Sequence, residues 1–250
     1  MKPQHERQLL RISGLAAVQA LFERDPGRVE RLFYVASVRG EVASFCRSLA
    51  RVRKPYRQVE PAELARIAGT VLHGGVVAIA RPRPLPDFDP EAAPEIAGAW
   101  GRDGKPLLIL DGIGNPHNLG AIVRSAAFFG IERIFLADRP EQALPSDASY
   151  RVAEGGFEHL SLYRVALPGA LGGLRGFYRI VGTALGQCPV PQKWHYPRPV
   201  ALVLGNEETG LDPATLTACD EVVTIPGSGR MQSLNVAAAA AILMYLLTRR

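Results

Sequence analysis

The chain has 250 residues, 47% apolar and 21% charged, which excludes a disordered or low-complexity polypeptide and leaves room for one large domain or two modest ones. No apolar run is long enough to span a bilayer and the opening MKPQHER has no secretory hydrophobic stretch, so a cytoplasmic location is expected. The net charge of +5 is uneven: residues 1–85 carry 15 cations against 7 acids, whereas residues 86–250 carry 14 against 17, which points to a polyanion-facing module joined to a nearly neutral one.

Hydrophobic periodicity in the first part predicts a helix over 15–23, a strand over 31–36, a helix over 41–52, a short helix after Pro61 and a strand over 76–80. Residues 81–105 are rich in Pro, Gly and acids without a sustained apolar period and are expected to form a linker. The division is therefore 1–85, a linker over 86–105, and 106–250. In the second part, strands are predicted over 107–111, 133–137, 179–184, 200–204 and 221–225. Helices are predicted over 118–129, after Asp212, and over 234–247. The runs LLIL and VALVL are continuous rather than alternating, the pattern of strands covered on both faces, so the expected class is α/β with a parallel sheet between helix layers. The cysteines Cys46, Cys188 and Cys219 are far apart and in no Cys/His pattern; they are expected to pack, with neither a disulfide framework nor a metal site.

Three strand-to-loop transitions carry polar or Gly residues where parallel α/β sheets bind ligands. The first is DGIGNPHNLGAIVRSAA over 111–127. There Asn118 suits a helix N-cap, and Arg124 on an apolar helix either pairs with a carboxylate such as Glu207 or engages phosphate or ribose. It lacks GxGxxG, with His117 at the third position, which disfavours a dinucleotide site. The second is GNEETGLDP over 205–213, where Gly205 would let a ligand approach the backbone and Glu207 and Glu208 could meet a cation, a ribose hydroxyl or Arg124. The third, TIPGSGRMQSLNVA over 224–237, offers backbone amides with Ser233 and Asn235 before an alanine-rich helix, and capping explains only one of those two side chains.

Taken together and in this order, the three segments resemble the motifs of the SpoU/TrmH family of RNA 2′-O-ribose methyltransferases, in the SPOUT class, over roughly residues 107–248. The first part, with HGGVVA over 73–78, resembles more loosely the family's ribosomal-protein-like substrate-binding domain. The resemblance implies a deep trefoil knot in the C-terminal domain, S-adenosylmethionine as cofactor, RNA as partner with ribosomal RNA ahead of transfer RNA, and a homodimer formed through the knot region. It implies a polar set of Asn118, Arg124, Glu207, Ser233 and Asn235, in which Glu207 orients Arg124. Cofactor contacts, largely through backbone, fall to Thr183, Ala184, Gly205, Asn206, Ile225 and Leu234. Gly227 and Ala237 depart from the family's common Met and Ser, which bears on substrate choice. Two other classes remain open on the residues alone: a non-catalytic RNA-binding assembly factor of the same fold, and a small-molecule α/β enzyme.

Overall fold

The computed structural model describes residues 9–186 and 196–249, so Cys188 lies outside the described residues. The chain divides into two compact units, one of residues 1–84 with 145–159, the other of residues 85–144 with 160–250. The first unit begins with β1 (Leu10–Ser13), α1 (Leu15–Arg24), β2 (Val29–Tyr34), α2 (Ala43–Arg51), β3 (Tyr56–Gln58), α3 (Pro61–Ala68) and β4 (Val76–Ala80). Its sheet has the order β1-β4-β2-β3, antiparallel except for the parallel β2–β3 pair. The all-apolar VVAIA of β4 lies at the centre, with Val76, Val77 and Ala78 fully buried. The short edge strands β1 and β3 have no equally strong signal; all three residues of β3 are exposed.

The second unit opens with α4 (Pro94–Arg102), β5 (Leu107–Asp111), α5 (Pro116–Phe128) and β6 (Arg133–Ala137). There the chain enters the first unit with α6 (Asp147–Ala153), then returns with β7 (Ser161–Val165), α7 (Gly169–Leu174), β8 (Arg179–Thr183), β9 (Val200–Gly205), α8 (Pro213–Thr217), β10 (Glu221–Val223) and α9 (Val236–Thr248). Six parallel strands run in the order β10-β8-β9-β5-β6-β7, as the continuous apolar runs required. β5 and β9 are the central pair and every residue of both is buried. Because all six strands point one way, the segments leaving β5, β8, β9 and β10 emerge at a single edge.

The stretch expected as a linker contains α4. Gly98 and Gly101 lower its intrinsic helix propensity, but a Cβ at those positions would come within 3.0 and 2.8 Å of Phe177, so the glycines permit close packing. Trp100 from this helix joins Phe88 and Tyr163 at centroid separations of 4.8 and 5.2 Å. Tertiary burial supplies what local propensity withholds.

In the first unit, Arg28 and Glu158 are 5% and 7% exposed and meet through two hydrogen bonds of 3.0 Å from one guanidinium nitrogen. The same guanidinium donates to the Tyr150 hydroxyl at 3.2 Å and the Arg81 carbonyl at 2.8 Å. A charge pair this deeply buried survives only with its remaining donors and acceptors satisfied. It fastens residues 145–159 to a sheet more than 100 positions away in sequence.

Candidate active site

The first polar loop follows β5. Asn115 is the N-cap of α5, its side-chain oxygen accepting from the amide of His117 at 2.8 Å, with Pro116 in the first turn. Asn118 is thus not the cap expected of it. The helix begins earlier because Asn-Pro supplies both a capping oxygen and a preset φ. Relieved of capping, the Asn118 amide donates to Glu207 Oε1 at 2.5 Å, and its carbonyl oxygen accepts from the Asn235 side chain at 3.0 Å. Asn235 in turn caps α9, its oxygen accepting from the amides of Ala237 and Ala238 at 2.9 and 3.4 Å. One relay therefore joins the loops after β5, β9 and β10, which are separated by about ninety and thirty positions in sequence.

The second loop is held by Asn206. Its side chain donates to the Gly112 carbonyl at 2.7 Å and accepts from the amides of Glu208 and Thr209, while its backbone pairs in both directions with Gly210. Gly205 was expected to admit a ligand to the backbone. A Cβ there would instead lie 2.3 Å from Gly210 and Leu211 backbone atoms, so the missing side chain is required by the chain's own tight turn. Thr183 donates to the Val203 carbonyl at 3.1 Å, and the Ala184 amide donates to Val223, which ties the ends of β8, β9 and β10 together.

The third loop is open. Among the described residues, the amides of Ile225 to Leu234 make no backbone–backbone hydrogen bond, and Arg230 alone bonds a side chain, Ser228. Ser233 and Leu234 are exposed, Leu234 at 51%, and Ile225 is half-buried. Unpaired backbone groups beside apolar side chains are the donor set that grips a flat heterocycle by its edge and faces. Asn118, Glu207 and Asn235 are thus brought into direct contact. Arg124 is exposed on α5, and no described bond links Ser233 to the relay.

Further polar residues brace the site, two of which, Arg139 and Gln142, lie outside the three segments. Asp111, 2% exposed at the end of β5, accepts from Arg139, which also lies 3.6 Å from Asp212, the N-cap of α8. Burial opposes the Arg139 charge, but the Asp111 hydrogen bond and the neighbouring carboxylates outweigh it and raise its pKa above the usual value. Gln142, 6% exposed, takes the amides of Gly112 and Ile113. The available sequence signal was the lone carboxylate ending an apolar strand, which demands a buried partner. Cys219 behaves as a packing residue, since burial pushes its thiol up to about 11.

Residues 105–245 match the SpoU rRNA methylase family model, and residues 11–86 match that of the RNA 2′-O ribose methyltransferase substrate-binding domain. The chain is 34% identical over 246 residues to the 23S rRNA (guanosine-2′-O-)-methyltransferase RlmB of Acinetobacter baylyi, covering 95% of this chain and 96% of the relative. Among solved structures it resembles an AdoMet-bound rRNA methyltransferase from Sinorhizobium meliloti at TM-score 0.77 and 23% identity, covering 96% of this chain and 87% of that one. At this identity the likeness speaks for the fold. It also resembles the SpoU methyltransferase AviRb from Streptomyces viridochromogenes, in complex with AdoMet, at TM-score 0.74 and 25% identity over 96% of this chain and 89% of the other.

Proposed function

Because the chain belongs to the SpoU rRNA methylase family, we propose that it is an S-adenosylmethionine-dependent RNA 2′-O-ribose methyltransferase whose working centre is the relay Glu207–Asn118–Asn235. That relay is the observation that carries the reading, since it brings three distant polar loops to the carboxyl edge of the sheet. The cofactor fits the open third loop: the free backbone groups of 225–234, Ile225 and Leu234 suit an adenine, with Thr183, Ala184, Gly205 and Asn206 lining the adjacent strand ends. When bound, S-adenosylmethionine supplies an electrophilic methyl on a sulfonium centre.

The chain's own task is alignment of a ribose 2′ oxygen with that methyl. Asn118 and Asn235, their amides fixed by Glu207 and by the α9 cap, position the nucleotide, and Ser233, two residues before Asn235, adds an exposed hydroxyl. Arg124 serves as a donor to the ribose or adjoining phosphate rather than as a base, because a guanidinium presents five N–H donors and no acceptor. Glu207 is assigned two tasks, holding the Asn118 amide and orienting Arg124.

The N-terminal unit is assigned the role of RNA reader. Residues 42–59 hold five cations and no acid. Arg47 and Arg51 lie one turn apart on α2, Arg53 follows at φ 56, and among the described residues none of the three side chains has a hydrogen bond or ion pair. Unrelieved like charges at i,i+4 weaken a helix, and a phosphate backbone removes that penalty. The C-terminal segment is assigned the threaded path of the SPOUT knot. The molecule is assigned to homodimers in the cytoplasm: Ala238, Ile242 and Tyr245 form one exposed face of α9, continuous through Phe129 with Phe128, which is 82% exposed. Among the described residues no helix is long and apolar enough to cross a membrane. The test is to map 2′-O-methylation in ribosomal RNA from cells with and without the gene. Loss of a single ribose methyl is expected, and an unchanged map over all stable RNAs would reject the reading.

A further inference from the structure

Gln142 lies outside all three motifs, yet its carboxamide makes four hydrogen bonds within the second unit. Its oxygen accepts from the amides of Gly112 and Ile113 at 3.0 and 3.2 Å, and its nitrogen donates to the carbonyls of Ile113 and Ala143 at 3.3 and 3.1 Å. The Ala143 amide adds a bond to the Ile113 carbonyl at 2.8 Å. Residues 112–113 have just left β5 and so have lost their sheet partners, and Gly112 sits at φ 80, where the backbone needs external support. One side chain stands in for the missing strand.

The far side of the same loop leads to the candidate catalytic carboxylate. The Gly112 carbonyl accepts from Asn206 Nδ2 at 2.7 Å, and Oδ1 of the same side chain accepts from the amides of Glu208 and Thr209 at 2.8 and 3.2 Å. Glu207 lies inside that turn. Arg139, three residues before Gln142, fastens the same segment to Asp111 and lies 3.4 Å from the Thr215 hydroxyl. We infer that Gln142 is a positioning residue for methyl transfer, acting through Gly112 and Asn206 to fix the Glu207 carboxylate; this rests on the activity proposed for the site.

The test uses the full chain with Gln142→Met, which keeps length but removes the amide, and Gln142→Glu, which keeps both accepted bonds. Methyl transfer from S-adenosylmethionine to an unmodified 23S rRNA transcript is measured beside amide hydrogen exchange. Gln142→Met is expected to lower kcat roughly 10- to 100-fold, as small misplacements of reacting groups do, with KM for the RNA nearly unchanged. It is also expected to speed exchange at Glu208 and Thr209 as well as at Gly112 and Ile113. Gln142→Glu should keep those four amides more protected and kcat nearer the parent value. Faster exchange confined to Gly112 and Ile113, or a lowered Tm with unchanged kcat, would make Gln142 a local brace only and overturn the inference. Should the parent chain fail to methylate the transcript, the proposed substrate falls, while exchange at Glu208 and Thr209 still decides whether Gln142 controls the Glu207 turn.

Discussion

At Arg124 and Gly205 two substitutions separate chemistry from architecture. Arg124→Ala is expected to reduce methyl transfer by about 100-fold or more, the usual result of deleting a donor aimed at developing charge, with calorimetric affinity for S-adenosylmethionine largely kept. Retained activity would remove the role given to this guanidinium. Gly205→Val has a different consequence from the one its motif suggests. The added side chain meets Gly210 and Leu211 backbone at 2.3 Å, so the 206–211 turn must move. A lowered Tm should accompany any loss of cofactor affinity, and a variant with parental Tm but no cofactor binding would contradict this. Asn118, Glu207 and Asn235 lie in polar segments that follow predicted strands, and the family resemblance singled them out among their neighbours. Their mutual bonding could not be read from sequence, since nothing local relates positions about ninety apart. The same holds for Asp111 with Arg139 and for Gln142, whose importance lies in being buried and saturated rather than in any pattern.

Elements differ in how far local sequence decides them. β5, β9 and β4 are continuous apolar runs and form where expected, whereas α9 starts two residues late because Asn235 is its cap. α4, with Gly98 and Gly101, exists through packing on Phe177. β3 and β7 are edge strands whose weak alternation is completed by pairing with β2 and β6. α6 depends on partners from another part of the chain. Glu158→Ala, which strands the buried Arg28, should destabilise by about 3–5 kcal/mol in a denaturant titration, the range for breaking a buried pair. A loss below about 1 kcal/mol would mean water reaches the site. On α2, the double change Arg47→Glu with Arg51→Glu should weaken RNA binding and reduce the salt slope, by roughly 0.7–0.9 per lost phosphate contact, with unaltered circular dichroism. An unchanged slope would move the RNA surface elsewhere.

For the whole molecule, the exposed apolar face of α9 predicts association. Ile242→Glu is expected to convert the dimer into a monomer by light scattering, and a parent chain that is monomeric at all concentrations would remove the assignment. Alkaline stability follows from Tyr178, fully buried, whose hydroxyl is pushed up to about 12 by burial, against about 10 in an unfolded chain. A folded-state pKa above the unfolded value gives stability that is complete below pH 10 and lost as pH rises towards 12, because the unfolded chain sheds its proton first. Tm should therefore fall across that window, less steeply in Tyr178→Phe. By itself the sequence determined the α/β class, the parallel sheet, the basic first part and the three polar loops, because burial on both faces and loop chemistry are written in contiguous residues. Only the tertiary structure decided that Asn115 caps α5, that Asn118 joins Glu207 to Asn235, that Gly205 serves its own turn, and that residues 145–159 belong with the first unit. Those outcomes depend on which distant groups share a buried space, and hydrogen-bond geometry there is fixed by the packing of whole elements.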